Sequence, residues 1–216
     1  MNDRKDPVSI ETRPENLRAG SSSLGETDPI DRYLLEVEQA VRLLSREALW
    51  TVTNVLMEAW RREAHIFVLG NGGSAATASH MANDLNKLTI TSNKRRFKVI
   101  ALTDNVPLMT AWGNDASYED IFAEQLLNFL KPDDVVIAIS ASGNSPNVLK
   151  AVDVAHQHGA TTIGFTGQIG GKLKSMVDYC VFSPSGHICQ QEDCHLVLEH
   201  AISNTLQKLV ALENVP

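Results

Sequence analysis

His65-Ile66-Phe67-Val68-Leu69 is a short apolar run that stops in Gly70-Asn71-Gly72-Gly73-Ser74. The run reads as a buried strand. No strand or helix interior would choose the glycine stretch that follows, so the chain turns there. Ser74 offers a helix N-cap, and Ala75-Ala76-Thr77-Ala78 starts a good helix. Strand, glycine turn and helix start together make a place for an anion. Backbone N–H groups approach closely in the turn, and the helix dipole favours negative charge. The helix then carries His80 and Asp84, four residues apart and so on one face.

The same design returns later. Asp134-Val135-Val136-Ile137-Ala138-Ile139 runs into Ser140-Ala141-Ser142-Gly143-Asn144-Ser145-Pro146. Ser145 fits an N-cap, and Pro146 fits the first helical position, where its missing N–H does no harm. Ser140, Ser142 and Ser145 bring three hydroxyls round one turn, which suits a phosphate monoester bound without a metal. One serine–glycine loop is weak ground, since turns are made of these residues. Two such loops, each between a strand and a helix, are considerably stronger. Neither is Gly-x-x-x-x-Gly-Lys-Ser/Thr, which argues against a nucleoside triphosphate. The absence of Gly-x-Gly-x-x-Gly argues against a dinucleotide.

Between and around these loops the chain alternates. Ile30 to Leu44 and Glu47 to Arg62 follow helical spacing. Phe97 to Leu102, Thr161 to Thr166 and Tyr179 to Phe182 add three strands to the two above. Helices are expected over Pro107 to Trp112, Tyr118 to Phe129, Asn147 to His158 and Gln191 to Leu212. Strands alternating with helices imply an α/β fold with a parallel sheet covered on both faces. Ligands of such sheets bind beyond the carboxyl ends of the strands.

Met1 to Thr27 is polar and holds Pro7, Pro14 and Gly20-Ser21-Ser22-Ser23. We expect residues 1–28 to form a disordered or loosely attached tail and residues 29–216 to form one domain. The net charge of −7 argues against direct nucleic-acid binding as the main function. Lys94-Arg95-Arg96 reads as a solvated turn. No apolar run approaches the roughly 20 residues that span a bilayer, and no hydrophobic signal core opens the chain. Cys180, Cys189 and Cys194 form no paired framework, so a reducing cytoplasm is expected.

Gly70 to Ser74, His80-Met81-Ala82-Asn83-Asp84-Leu85 and Ser140 to Ser145 together resemble the sugar isomerase (SIS) domain. Within it the likeness is to the phosphoheptose isomerase branch, which acts on sedoheptulose 7-phosphate. It covers roughly Ile30 to Leu212, and the closing helix with His195 and His200 belongs to it. The resemblance implies a three-layer, flavodoxin-like sandwich around a five-stranded parallel sheet. It also implies a homotetramer, with N- and C-terminal helices in a central bundle and active sites between subunits. Asn71, Gly72, Gly73, Ser74, Ser140, Ser142, Asn144 and Ser145 would surround the sugar phosphate, with Asp104 contacting the sugar. Zinc would be held by His80, Asp84, Glu192 and His200. Relatives usually carry Glu at the Asp84 position and Gln at that of Glu192. This mapping aligns on His195-Leu196 and His200. Aligning on Gln191 would put Glu199 at the histidine position and is not adopted. Ala141 stands where relatives often have Thr, and Cys189 where they often have an acid, so the particular sugar stays open.

The residues themselves support part of this. Glu192 and His200 are eight apart, close to two turns, so they share a face. Two imidazoles and two carboxylates suit zinc, and also admit Fe, Ni or Mn. Asp84 and His200 are the expected general base and acid for moving a proton between neighbouring carbons through an enediolate. The competing reading is a non-catalytic SIS protein, either a sugar-phosphate sensor or a replication initiator-associated tetramer. Relatives of that kind tend to lose the acid and the histidine that this chain retains as Asp84 and His200.

Overall fold

A computed structural model describes residues 28–213 of the protein. Strands β1 (His65–Gly70), β2 (Lys98–Ala101), β3 (Val135–Ser140), β4 (Thr161–Gly167) and β5 (Tyr179–Ser183) form one sheet. Every pairing is parallel, and the order is β2-β1-β3-β4-β5. The helices are α1 (Pro29–Arg42), α2 (Arg46–Arg61), α3 (Gly73–Lys87), α4 (Val106–Asp115), α5 (Ala123–Phe129), α6 (Pro146–Gln157), α7 (Leu173–Met176) and α8 (Ile188–Leu212). By its backbone contacts the chain divides into residues 1–36 and residues 37–216. The described part of the first unit is the start of α1, where Asp28 Oδ1 accepts from the Ile30 N–H and Arg32 pairs with Glu36. The sheet and all the site residues belong to the second. The tail expected over residues 1–28 lies outside the described residues but for Asp28.

The layering follows from the strand period of two. On β1, Ile66 and Val68 face one core with Leu56, Met81, Leu85, Leu198 and Ile202. Phe67 and Leu69 face the other with Phe122, Leu126, Val148 and Val152. Thus α2, α3 and α8 cover one side of the sheet, and α5 and α6 the other. Every residue of β3 is buried, as a central parallel strand requires. The expected three-layer α/β sandwich with five parallel strands is present.

Several boundaries differ from the sequence pattern. Ser74 is not the N-cap of α3. The cap is Gly72 at φ +56, a left-handed conformation that glycine adopts freely, and Ser74 lies buried inside the first turn. Ser145 does cap α6 with Pro146 next, although its hydroxyl makes no capping bond. The helix expected from Tyr118 begins only at Ala123. Before it, Ser117 Oγ donates to Asp120 and accepts from the Glu119 N–H, a local arrangement that competes with helix. The short α7 was not legible, and α8 starts three residues earlier than its periodicity suggests. Among the described residues no helix is long and apolar enough to cross a membrane.

The strand order fixes where a ligand goes. The chain leaves β1 outward to β2, then crosses back to β3. The connections after β1 and β3 therefore run in opposite directions and open a crevice between them. Both glycine loops sit at that point.

Candidate active site

The two loops are tied to each other. Asn71 Nδ2 donates to Asn147 Oδ1, and Asn147 Nδ2 donates back to Asn71 Oδ1, each at 2.9 Å. Tyr118 Oη also donates to Asn71 Oδ1 at 3.0 Å. Gly70 permits the close approach, because a Cβ there would lie 2.8 Å from both the Ile139 carbonyl and Ser74 Cβ. In the second loop Ser140 Oγ lies 3.2 Å from Ser145 Oγ and 3.5 Å from Ser142 Oγ. The expected three-hydroxyl cradle therefore exists, with Ser140 buried at its floor. Asn144 has a holding role within it. Its Nδ2 donates to the Ser142 carbonyl and its Oδ1 accepts from the Lys172 N–H. Gly143, at φ +63, is pressed against the backbone of Gly170 and Gly171, where a side chain would collide. A third loop, after β4, thus braces the second.

Helix α3 leads from the first loop to a group of ionisable side chains. His80 Nε2 lies 2.9 Å from His200 Nε2, and the rings meet edge to face. Asp84 Oδ2 lies 3.7 Å from His80 Nε2 and 3.9 Å from His200 Nε2. Glu199 Oε2 lies 3.7 Å from His200 Nε2. Taking one donor atom from each of His80, Asp84, Glu199 and His200, all four fall within 4.8 Å of one another. The two rings are 43% and 44% exposed, whereas the Glu199 side chain is fully buried. Burial pushes the Glu199 carboxyl above the usual range, with Asp84 adding to the shift and Ser203 opposing it. This donor set fits a divalent metal. Tetrahedral zinc with bonds of about 2.0–2.1 Å keeps its ligand atoms roughly 3.4 Å apart. The observed spacings bracket that figure.

Glu192 does not join this group. Its carboxylate lies against Gly73 at the start of α3, where any Cβ would strike it. Asp104 lines a separate open cleft of about 630 Å³ with Ser79, Asn83 and Asn86. It accepts a hydrogen bond from Ser79 and is flanked by Thr103. Sequence reasoning did not foresee Tyr118, Asn147, the loop from Gly167 to Lys172, or Glu199. Asn147 follows the second loop by two residues and gave no periodic signal. Tyr118 and Asn71 are 47 positions apart. Glu199 entered the sequence reading only as a residue on a polar helix face and through the alignment on Gln191 that was not adopted.

His195 lies deeper. It is fully buried, and its Nε2 is 3.1 Å from the Thr166 carbonyl. Burial lowers its pKa to about 4. The ring is therefore neutral at pH 7 and donates through Nε2–H. It pins α8 to the end of β4 behind the serine loop.

The SIS domain family matches residues 32–167. Phosphoheptose isomerase of Aquifex aeolicus is 35% identical over 187 residues, covering 87% of this chain and 97% of that protein. The Clostridium acetobutylicum phosphoheptose isomerase is 34% identical over 170 residues, covering 78% and 86%. Among solved structures, phosphoheptose isomerase of Francisella tularensis superposes with a TM-score of 0.78 at 28% identity, covering 83% of this chain and 96% of that one. The Neisseria gonorrhoeae enzyme gives 0.77 at 28%, covering 83% and 97%. Sheet order, paired loops and these likenesses agree, and the chain belongs to the SIS-domain family, in its phosphoheptose isomerase branch.

Proposed function

We propose that the protein is an aldose–ketose isomerase of sugar phosphates, converting sedoheptulose 7-phosphate to D-glycero-D-manno-heptose 7-phosphate. The observation that carries this is one helix, α3, with a phosphate loop at its start and an acid–base group further along. Gly73 and His80 are seven residues apart, about 10 Å along the axis. An extended sugar phosphate bridges such a distance. Its phosphate rests among Ser140, Ser142 and Ser145 beside the first loop, where the Glu192 carboxylate faces Gly73, and its carbonyl end reaches His80, Asp84 and His200.

Asp84 takes a proton from C1 of the ketose, and His200 supplies one to C2. A hydroxyl proton passes from O1 to O2, and the proton left on Asp84 returns to His200 through solvent, so substrate and enzyme both balance. Each transfer contributes about 10²–10⁴-fold. We assign His80, Asp84 and His200 as donors to zinc, which would polarise the carbonyl and hydroxyl oxygens when bound. One nitrogen cannot hold a metal and a proton together, so His200 acts as acid only while its reacting nitrogen is metal-free. Free thiols at Cys180, Cys189 and Cys194 accord with a cytoplasmic protein. Exposed Trp50 on α2 and Leu196 and Val197 on α8 accord with a homotetramer, which sedimentation as a monomer would remove.

The test is conversion of sedoheptulose 7-phosphate, followed by NMR, in wild type and His200→Ala. Turnover in the wild type and its loss in the variant are expected. Turnover that survives both chelation and the substitution would sink the mechanism. Phosphate-ester binding without turnover in the wild type would favour a sensor.

A further inference from the structure

Glu199 is the one member of the ionisable group whose carboxylate is wholly shut away from water. Its Oε1 accepts from Ser203 Oγ at 2.8 Å. Its Oε2 has no hydrogen-bond partner among the described residues. A buried carboxylate oxygen without a partner is costly, and native proteins rarely keep one without a counter-charge. This oxygen lies 3.7 Å from His200 Nε2, and a Glu199 carboxylate oxygen lies within 4.8 Å of donor atoms of His80, Asp84 and His200.

Charge gives a second, separate argument. Asp84 and Glu199 carry two negative charges when ionised, and the two imidazoles carry none when neutral. Without a cation the carboxylates repel one another across a group no wider than 4.8 Å. A divalent cation cancels both charges, and the unpartnered oxygen becomes a ligand. Ser203 then holds the far oxygen, as outer partners of metal-bound carboxylates do.

Glu192 is placed otherwise. Its carboxylate rests at the N-terminus of α3, where the helix dipole already stabilises an anion. Gly73, which it touches, lies about 10 Å along α3 from His80.

We propose that Glu199, not Glu192, is the fourth protein donor to a divalent cation held by His80, Asp84 and His200. The proposal rests on reading those three residues as a metal site. Two carboxylates and two imidazoles suit zinc and admit manganese or iron.

The experiment uses the full chain as wild type, Glu199→Gln, Glu192→Gln and His200→Ala. Zinc affinity is read by competition with a chromogenic chelator, and Tm is taken with zinc and with EDTA. Glu199→Gln keeps the side-chain volume and an acceptor for Ser203, so its fold is checked by its Tm in EDTA. The expected result is a loss of zinc affinity in Glu199→Gln of at least about 100-fold, the upper end of what losing an outer partner costs, against about threefold or less in Glu192→Gln. The zinc-induced rise in Tm shrinks accordingly in Glu199→Gln alone. In cobalt-substituted protein the visible band changes in Glu199→Gln and not in Glu192→Gln, which a merely structural glutamate would not cause. Zinc retained in Glu199→Gln but lost in His200→Ala overturns the role of Glu199 and leaves the metal site standing. Zinc lost in Glu192→Gln and kept in Glu199→Gln transfers the role to Glu192. Affinity equally weak in wild type and His200→Ala removes both readings.

Discussion

Asn71 and Asn147 exchange two hydrogen bonds across the loop end of the site, and three serine hydroxyls gather beside them. At the helix end, His80, Asp84, Glu199 and His200 converge with a buried oxygen left over. At the loop end the amides and hydroxyls satisfy one another, and the Glu192 carboxylate lies against Gly73. The helix end is charged and crowded, and its members repel or compete until something enters between them. The difference divides the work. A preformed cradle of small groups fixes position without reorganisation. In the proposed mechanism the crowded group of titratable side chains would supply the chemistry.

Breaking the helix end should give the largest effect. His80→Ala removes one imidazole of the pair without touching the cradle. Turnover should fall by about 10²–10⁴, the range for a positioned acid–base or metal-bound group. The Tm in EDTA should not fall, because without a cation the group contributes repulsion as well as contact. The two measurements together decide. A large drop of Tm in EDTA would mean the helix end is structural, and the division between the two ends would fail.

How much of this was legible beforehand also differs between the ends. The five strands were plain from their apolar runs, and both loops from their glycines. Serines 140, 142 and 145 announced themselves because hydroxyls cluster in one short stretch. His80, Asp84 and His200 followed from helical spacing joined to the family likeness. Glu199 did not, because His200 is its neighbour and adjacent helical residues point about 100° apart. Only the packing of α8 on α3 and the sheet turns Glu199 inward. Glu192 was legible as a carboxylate on the same face as His200, yet a face is not a contact. Its long side chain reaches back to Gly73. The capping role expected of Ser74 failed because Gly72, two residues earlier, adopts a left-handed conformation that serine avoids and caps the helix instead.

His195 links the two ends, holding the Thr166 carbonyl behind the serine loop while sitting one turn before Glu199 on α8. Its pKa falls from 6.5 to about 4 on burial. The unfolded chain therefore takes up a proton in that window while the folded one does not. Its contribution is present in full above pH 6.5 and is lost as pH falls toward 4. The loss amounts to on the order of 3 kcal/mol. Urea unfolding at pH 7 and pH 4.5 should show it, and His195→Leu should flatten the slope. An equal slope in that variant would assign the acid sensitivity elsewhere and leave the two ends uncoupled.

Ser140→Ala tests the cradle by itself. The buried hydroxyl makes no ion pair, so its effect falls on binding a charged phosphate. A hydrogen bond to a charged group contributes about 1.5–3 kcal/mol, which is roughly a ten- to hundredfold rise in KM. The value of kcat should stay near that of the wild type. A fall in kcat instead would draw the cradle into the chemistry and erase the contrast.

Tyr118→Phe should have the smallest effect and sharpens the contrast most finely. The phenol donates to Asn71 Oδ1, which already accepts from Asn147 Nδ2. Tyr118 is 60% exposed, so water can take the place of its hydroxyl. Loss of one such bond costs at most about 0.5–1 kcal/mol. If the reciprocal amide pair alone sets the loop end, KM rises by no more than about fivefold, as that free energy requires. Asn147→Ala should then cost more than Tyr118→Phe, because it leaves both polar groups of Asn71 without their buried partner. The reverse order would make the tyrosine the organiser of the cradle and the amide pair its passenger. The loop end would then depend on the turn before α5, and its readiness for a ligand would no longer be built into the switch point of the sheet.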